Sequence, residues 1–355
     1  MEPGLFGIKN SNRDFTQEDS WGKNQFNSSF PAALGCYMYS RKMNPAYLTL
    51  NNDLQVIHSE ISVAELYGIQ PDSPNIYFAF ERDYPPYQKL VVGNLPRIDL
   101  VTMDLVSGGA LQGVEIKLTA LPDNSTCNLN EDGYSCEIVI RPDSVIYLAL
   151  SILEAYQNKI HDLHDLLYPH CSKILDWADA ESIHETLPEM INAIDDVLMH
   201  NIGNQIPLIM QPVWKTMGKS VTLDDNCLDI FVWSNYAFTR LFVDSAKQDL
   251  HGSSSRISRH TRTVIWLSKM LYDYSINDKV DYASIIDELS MNTKNDKAFA
   301  VSGRVTHPYL ASEILKKPRI KKDEIKRIIL GNGHKLLSPE RRFDAIILNT
   351  PGLFD

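Results

Sequence analysis

The chain has 355 residues, is 44% hydrophobic and carries a formal net charge of −11, which suits one large globular domain or two moderate ones and excludes a disordered or fibrous protein. No run of about 18 apolar residues is present, and Met1-Glu2-Pro3-Gly4 lacks the basic-then-apolar layout of a signal peptide, so a cytoplasmic protein without a membrane partner is expected. Five scattered cysteines (Cys36, Cys127, Cys136, Cys171, Cys227) without CxxC spacing suggest neither a disulfide framework nor a zinc site and are read as reduced, structural thiols.

The negative average hides a segregation. Residues 251–342 hold 18 Lys and Arg against 10 Asp and Glu, a balance of +8, which leaves −19 for the rest. Such asymmetry points to a polyanion-facing surface near the C-terminus, against the bland alternative of a solvated lysine-rich face.

In chain order, residues 1–30 are polar with interspersed aromatics and are expected to form an ordered arm. A short helix is predicted from near Pro31 to Tyr39. A hairpin follows, with Ala46 to Leu50, an Asn51-Asn52-Asp53 turn and Leu54 to Ile57. The next segment carries Glu60 and Glu65, either of which could add a carboxylate to a metal shell; Glu60 is preferred. Asn75 to Phe80 is a predicted strand, and Glu81 to Tyr87 a loop.

Pro96-Arg97-Ile98-Asp99 and Val114-Glu115-Ile116-Lys117 then read as two strands joined by a turn at Ser107-Gly108-Gly109. In the second strand, period-two alternation puts Val114, Ile116 and Leu118 on one face and Glu115, Lys117 and Thr119 on the other. Two carboxylates can hold a hard divalent cation through oxygen, and a lysine beside them can orient or help deprotonate a water. That combination is the chemistry of metal-assisted phosphodiester hydrolysis. The first acid is either Asp99 or Asp104; Asp99 is favoured because an acid at the start of one strand reaches the middle of its partner, whereas Asp104 lies near the turn.

Residues 122–136 are read as a polar loop and Glu137 to Arg141 as a further strand, followed by helices at about 144–159, 184–200, 228–249, 257–274 and 281–290. The division is 1–150, an α/β catalytic core with its N-terminal arm, and 151–355, a mainly helical region packed with it as one unit; the soft boundary lies in 140–170. Ser255, Arg256, Arg259, Arg262 and Arg304 are candidate DNA contacts, because hydroxyls and arginines at a loop-to-helix junction suit phosphate. Lys316 to Lys322 with Lys326 and Arg327 is read as an exposed helix face. Asn295, Arg304, Asn332 and Arg341 are open as base readers.

Other chemistries lack their motifs. There is no GxxxxGK[ST] or GxGxxG, so no nucleotide cofactor is expected, and no GxSxG. His161 and His164 have helical i, i+3 spacing but no partner cluster in the sequence.

The segment Arg97-Ile98-Asp99 to Glu115-Ile116-Lys117 resembles the PD-(D/E)xK nuclease signature, with Ile98 where the motif's proline often stands. Pro3 to Gly7, Asn10 to Phe15 and Trp21 to Phe26 resemble the HindVP-like type II restriction endonucleases. The resemblance implies a restriction-endonuclease-like α/β core; with the predicted elements this gives a mixed sheet flanked by helices and a largely helical C-terminal region. It also implies Mg²⁺, a homodimer on a palindromic double-stranded DNA target of the GRCGYC kind, Asp99 and Glu115 as metal ligands, and Lys117 as the water-positioning group, with Glu60 completing the shell. A structure-specific or repair nuclease of the same superfamily, and a DNA-binding module without catalysis, are the alternatives.

Overall fold

The computed structural model describes residues 23–117, 119–120, 138–216, 223–249, 257–289, 299–301 and 318–330. In chain order the elements are α1 (Lys23–Ser40), β1 (Ala46–Leu50), β2 (Val56–Glu60), α2 (Val63–Tyr67), β3 (Ile76–Arg82), β4 (Ile98–Asp104), β5 (Ala110–Ile116), β6 (Thr119–Ala120) and β7 (Ile138–Ile140). There follow α3 (Pro142–Leu153), α4 (Ile160–Cys171), α5 (Ala180–His200), β8 (Pro207–Thr216), β9 (Leu223–Ser234), α6 (Asn235–Asp249), α7 (Arg259–Asn277), α8 (Tyr282–Glu288), β10 (Phe299–Val301), β11 (Ile320–Lys321) and α9 (Lys322–Leu330).

Among the described residues nine strands form one mixed sheet, ordered β2-β1-β9-β8-β5-β4-β3, with β11 added to β9 and β6 to β8. β1 runs parallel to β9 and β5 parallel to β8, while the β1–β2, β8–β9, β4–β5 and β3–β4 pairs are antiparallel. Residues on both sides of position 150 therefore contribute to the same sheet, and β8 and β9 lie at its centre. This is the expected α/β arrangement.

The centre of the sheet is buried on both faces, whereas the edge strand β2 is largely exposed. Val101, Ile209, Phe231 and Trp233 pack against the layer of α3, α4, α5, α6 and α7, and Phe78, Leu100, Val114, Ile116, Met210 and Val232 pack against α1, α2 and α9. Two-sided burial explains the composition of β9, whose Cys227 to Trp233 run is nearly continuous in apolar residues. Such a run carries no alternation, which is why residues 228–234 read as the start of a helix; they are strand, and the helix begins at Asn235. β8 gives no clean strand signal in the sequence, because Pro212 interrupts it. The proline has no N–H to give, and the ladder along that edge of β8 is interrupted between its pairings with Ile116 and Thr119.

Other expectations shift in detail. α1 begins eight residues before Pro31, which lies inside the helix. Pro318 to Lys321 is not a helix face: Ile320 and Lys321 form β11, and the helix starts at Lys322. The β7 strand pairs with β10 in a separate two-stranded sheet, Phe299 opposite Ile140. Cys36, Cys171 and Cys227 are free and buried, whereas Cys127 and Cys136 lie outside the described residues. No helix of the described residues is long and apolar enough to cross a membrane.

Candidate active site

The β4–β5 pairing sets Leu100 opposite Val114 and Val101 opposite Gly113. Stepping that register back one residue sets Asp99 opposite Glu115. Cross-strand neighbours in an antiparallel pair share a face, so the two carboxylates are brought together by the sheet itself. β5 then leaves β4 for β8, where the Lys117 N–H donates to the Met210 carbonyl at 2.9 Å. Alternation along the strand turns the preceding N–H, that of Ile116, toward β4. The Asp99 carboxylate takes it at 2.7 Å.

Glu115 is 3% exposed and accepts two hydrogen bonds on the same oxygen, from Lys117 Nζ at 2.5 Å and from Ser144 Oγ at 3.1 Å. Lys117 Nζ also lies 3.7 Å from Asp99 Oδ2. The lysine thus bridges the two acids. Burial raises the Glu115 carboxyl above its ordinary pKa, Asp99 adds to this, and Lys117 opposes it. For Lys117 burial alone would lower the pKa, but Glu115 and Asp99 outweigh it and the net shift is upward. The side chain is therefore an ammonium ion here.

α3 closes the cluster from the helical side. Its first turn is Pro142-Asp143-Ser144 following Arg141, and proline at the first helical position needs no N–H partner. Ser144 holds Glu115, and one turn later Tyr147 Oη donates to the Pro96 carbonyl at 2.7 Å, fixing the backbone that enters β4. Asp143 is close enough to feel Lys117, Arg141 and Asp99; partial burial raises its pKa while the two cations pull it down. Neither Ser144 nor Asp143 was found from sequence. They stand 29 and 28 residues beyond Glu115, and nothing in their local pattern ties a helix start to β5.

Asp104, the rival first acid, is engaged at the hairpin turn, where its carboxylate accepts from Val106 N, Ser107 N and Ser107 Oγ, and these bonds lower its pKa. Glu60 is not part of the cluster: it ends β2, an edge strand four places from β5, roughly 19 Å away at the usual strand spacing. It is exposed and accepts from Asn44 Nδ2 at 3.4 Å. Glu65, its alternative, forms a capping box with Ser62 at the start of α2.

Of the basic candidates, Arg259 is exposed in the first turn of α7, which Ser258 caps. Arg262 is 4% exposed, with its guanidinium 5.5 Å from the Trp266 ring centroid; it braces the buried face of α7 instead of presenting charge to solvent. Ser255, Arg256 and Arg304 lie outside the described residues. So do the base-reading candidates Asn295, Asn332 and Arg341. His161 is exposed on α4, and His164 stacks on Tyr168.

The donor set suits a hard divalent cation. Both acids offer oxygen; burial, and to a lesser degree Asp99, raises Glu115, and a cation between them would offset the repulsion of the two carboxylates. Among the described residues no group of three or more His, Cys, Asp or Glu is placed to enclose a metal, so a cation held by Asp99 and Glu115 would draw its remaining ligands from water and substrate.

Comparison with known proteins accounts for nearly the whole chain. No solved structure matches. Over 354 residues the chain is 47% identical to the type II restriction enzyme HgiDI of Herpetosiphon aurantiacus, covering 100% of this chain and 98% of that protein. It is 42% identical over 354 residues to the probable type II restriction enzyme HindVP of Haemophilus influenzae, covering 100% of this chain and 96% of that one. The family model described as HindVP restriction endonuclease matches residues 21–354, and the chain belongs to that family.

Proposed function

We propose that the protein is a type II restriction endonuclease that hydrolyses phosphodiester bonds of double-stranded DNA at a specific sequence, with Mg²⁺ held by Asp99 and Glu115. The observation that carries this reading is the Asp99–Lys117–Glu115 cluster where β5 passes from β4 to β8, in a chain whose relatives are type II restriction enzymes. Asp99 is the first acid, since Asp104 is committed to the turn.

A bound divalent cation would supply charge to the reacting phosphate and lower the pKa of an associated water. The chain's own groups do the positioning. Asp99 is oriented by the Ile116 amide and Glu115 by Ser144, so neither carboxylate has to reorganise when substrate arrives. Lys117, held as an ammonium ion, serves as a hydrogen-bond donor that orients the attacking water and stabilises charge building on the phosphate oxygens. Arg259 on α7 is a further DNA contact, and Ser255, Arg256 and Arg304 remain candidates of the same kind. A homodimer acting on a palindrome of the GRCGYC kind would place one cluster on each strand.

A digest of a sequenced plasmid tests the reading directly. Discrete fragments with Mg²⁺, their ends mapped to one short palindrome, and no cutting in EDTA are expected. Cleavage confined to branched or damaged DNA, or none by pure folded protein, would overturn it. Lys117→Ala is expected to bind the mapped site while cleaving at least ~100-fold more slowly, the scale of losing one charge-stabilising donor; cutting at the wild-type rate would remove Lys117 from the mechanism.

A further inference from the structure

With the divalent cation proposed above, Asp99, Glu115, Asp143 and Lys117 leave little net charge to attract the substrate, which is a chain of anions. The geometry supplies a further positive charge beside them. Arg141 is the residue before α3, exposed to solvent. Its carbonyl accepts from Ser144 N at 3.1 Å, and Ser144 is the residue whose hydroxyl holds Glu115, so Arg141 stands one helical turn from the buried acid. Its charge is felt by both Lys117 and Asp143.

Among the described residues no carboxylate forms a salt bridge with Arg141. Arg240 is tied to Asp195 and Asp244, and Arg319 to Asp229, whereas Arg97 and Arg259 are, like Arg141, exposed. The backbone around Arg141 is fixed on both sides, by the pairing of β7 with β10 up to Ile140 and by the first turn of α3. An exposed arginine without a salt bridge, at the start of the helix whose first turn carries Ser144 and Asp143, suits a phosphate oxygen of the DNA backbone, which the guanidinium fork can grip through two N–H groups.

We propose that Arg141 is a phosphate-contacting residue of the active site, binding the DNA backbone at or next to the bond that is cut. This rests on the nuclease reading above. Its role differs from that of Arg259, which belongs to the α7 surface: Arg141 would hold substrate against the reacting groups themselves.

The test begins with wild-type protein and the plasmid digest. If wild type does not cut, the nuclease reading fails, and that result is distinct from anything Arg141 does. With a mapped site in hand, binding of a duplex spanning it is measured in EDTA at several salt concentrations, in the Lys117→Ala background so that the duplex stays whole. Adding Arg141→Gln is expected to weaken binding by about 10- to 100-fold at low salt and to make the slope of log K against log salt shallower by about 0.9, the signature of one lost phosphate contact. In the active background, Arg141→Gln should cut more slowly and Arg141→Lys should recover part of the loss. Lys173→Gln, in the turn just after α4, which removes a charge paired with Glu189, serves as the control and should leave the slope unchanged. An unaltered salt slope in Arg141→Gln, with melting temperature as in wild type, would overturn the proposal. If Arg141→Gln melts early, Arg141→Lys decides: retained slope with reduced cleavage supports the contact, and wild-type cleavage overturns it.

Discussion

Asp99 and Glu115 are held by partners of different kinds, and the difference predicts different sensitivities. Asp99 takes a backbone N–H, which side-chain substitution at Ile116 leaves in place unless proline is introduced. Glu115 depends on two side chains, Lys117 and Ser144. Ser144→Ala should therefore leave a buried carboxylate short of a donor, costing about 1.5–3 kcal/mol of stability, read by urea unfolding. It should also lower the single-turnover cleavage rate while binding to the mapped site is kept. Glu115 and Lys117 were legible in the sequence because alternation on one strand is a local signal. Ser144 was not legible, since its contact with Glu115 exists only after α3 folds back on the sheet.

At the scale of elements, the strands next to turn signals were the readable part. β1, β3, β4 and β5 are apolar runs bounded by turn residues, with clear alternation in β1, and their positions follow. The centre of the sheet was the unreadable part: β9 is apolar on both faces and β8 contains Pro212, so each loses the signal that marks a strand. α1 shows how tightly the opposite face is filled. A β-carbon on Gly35 would come 2.1 Å from Tyr67 Oη, whose hydroxyl donates to the Ala32 carbonyl and whose ring packs edge-on against Phe78. Gly35→Ala is expected to destabilise by about 1–3 kcal/mol through displacement of Tyr67, measured as a lowered Tm. Unchanged melting would mean that α1 can shift away from α2 without cost.

Across the whole molecule, part of the basic charge counted in the C-terminal region is committed to the fold among the described residues. Arg262 is buried against Trp266, and Arg319 is fixed to Asp229, a carboxylate 1% exposed that accepts Nε and a terminal nitrogen at 2.8 Å each. Counting residues could not separate these from cations that face solvent. Arg319 also donates to the Asn44 carbonyl, so one side chain ties the β11–α9 segment to both β9 and the start of β1. Arg319→Ala should leave Asp229 without its counter-ion and cost about 3 kcal/mol; denaturant unfolding checks it. Arg319→Lys should recover only part of this, because a single ammonium cannot serve both oxygens.

The β4–β5 register has one more consequence. Side chains in a strand change face with every residue, so a slip of β4 by a single position would carry Asp99 away from Glu115 and send Val101 and Met103 out of the helical-side core in the same movement. Misalignment of the first acid is thus coupled to a loss of packing that the fold cannot sustain. Molecules that are folded are also aligned, and a partly active population, with the acids slightly out of place, has no stable structure to occupy.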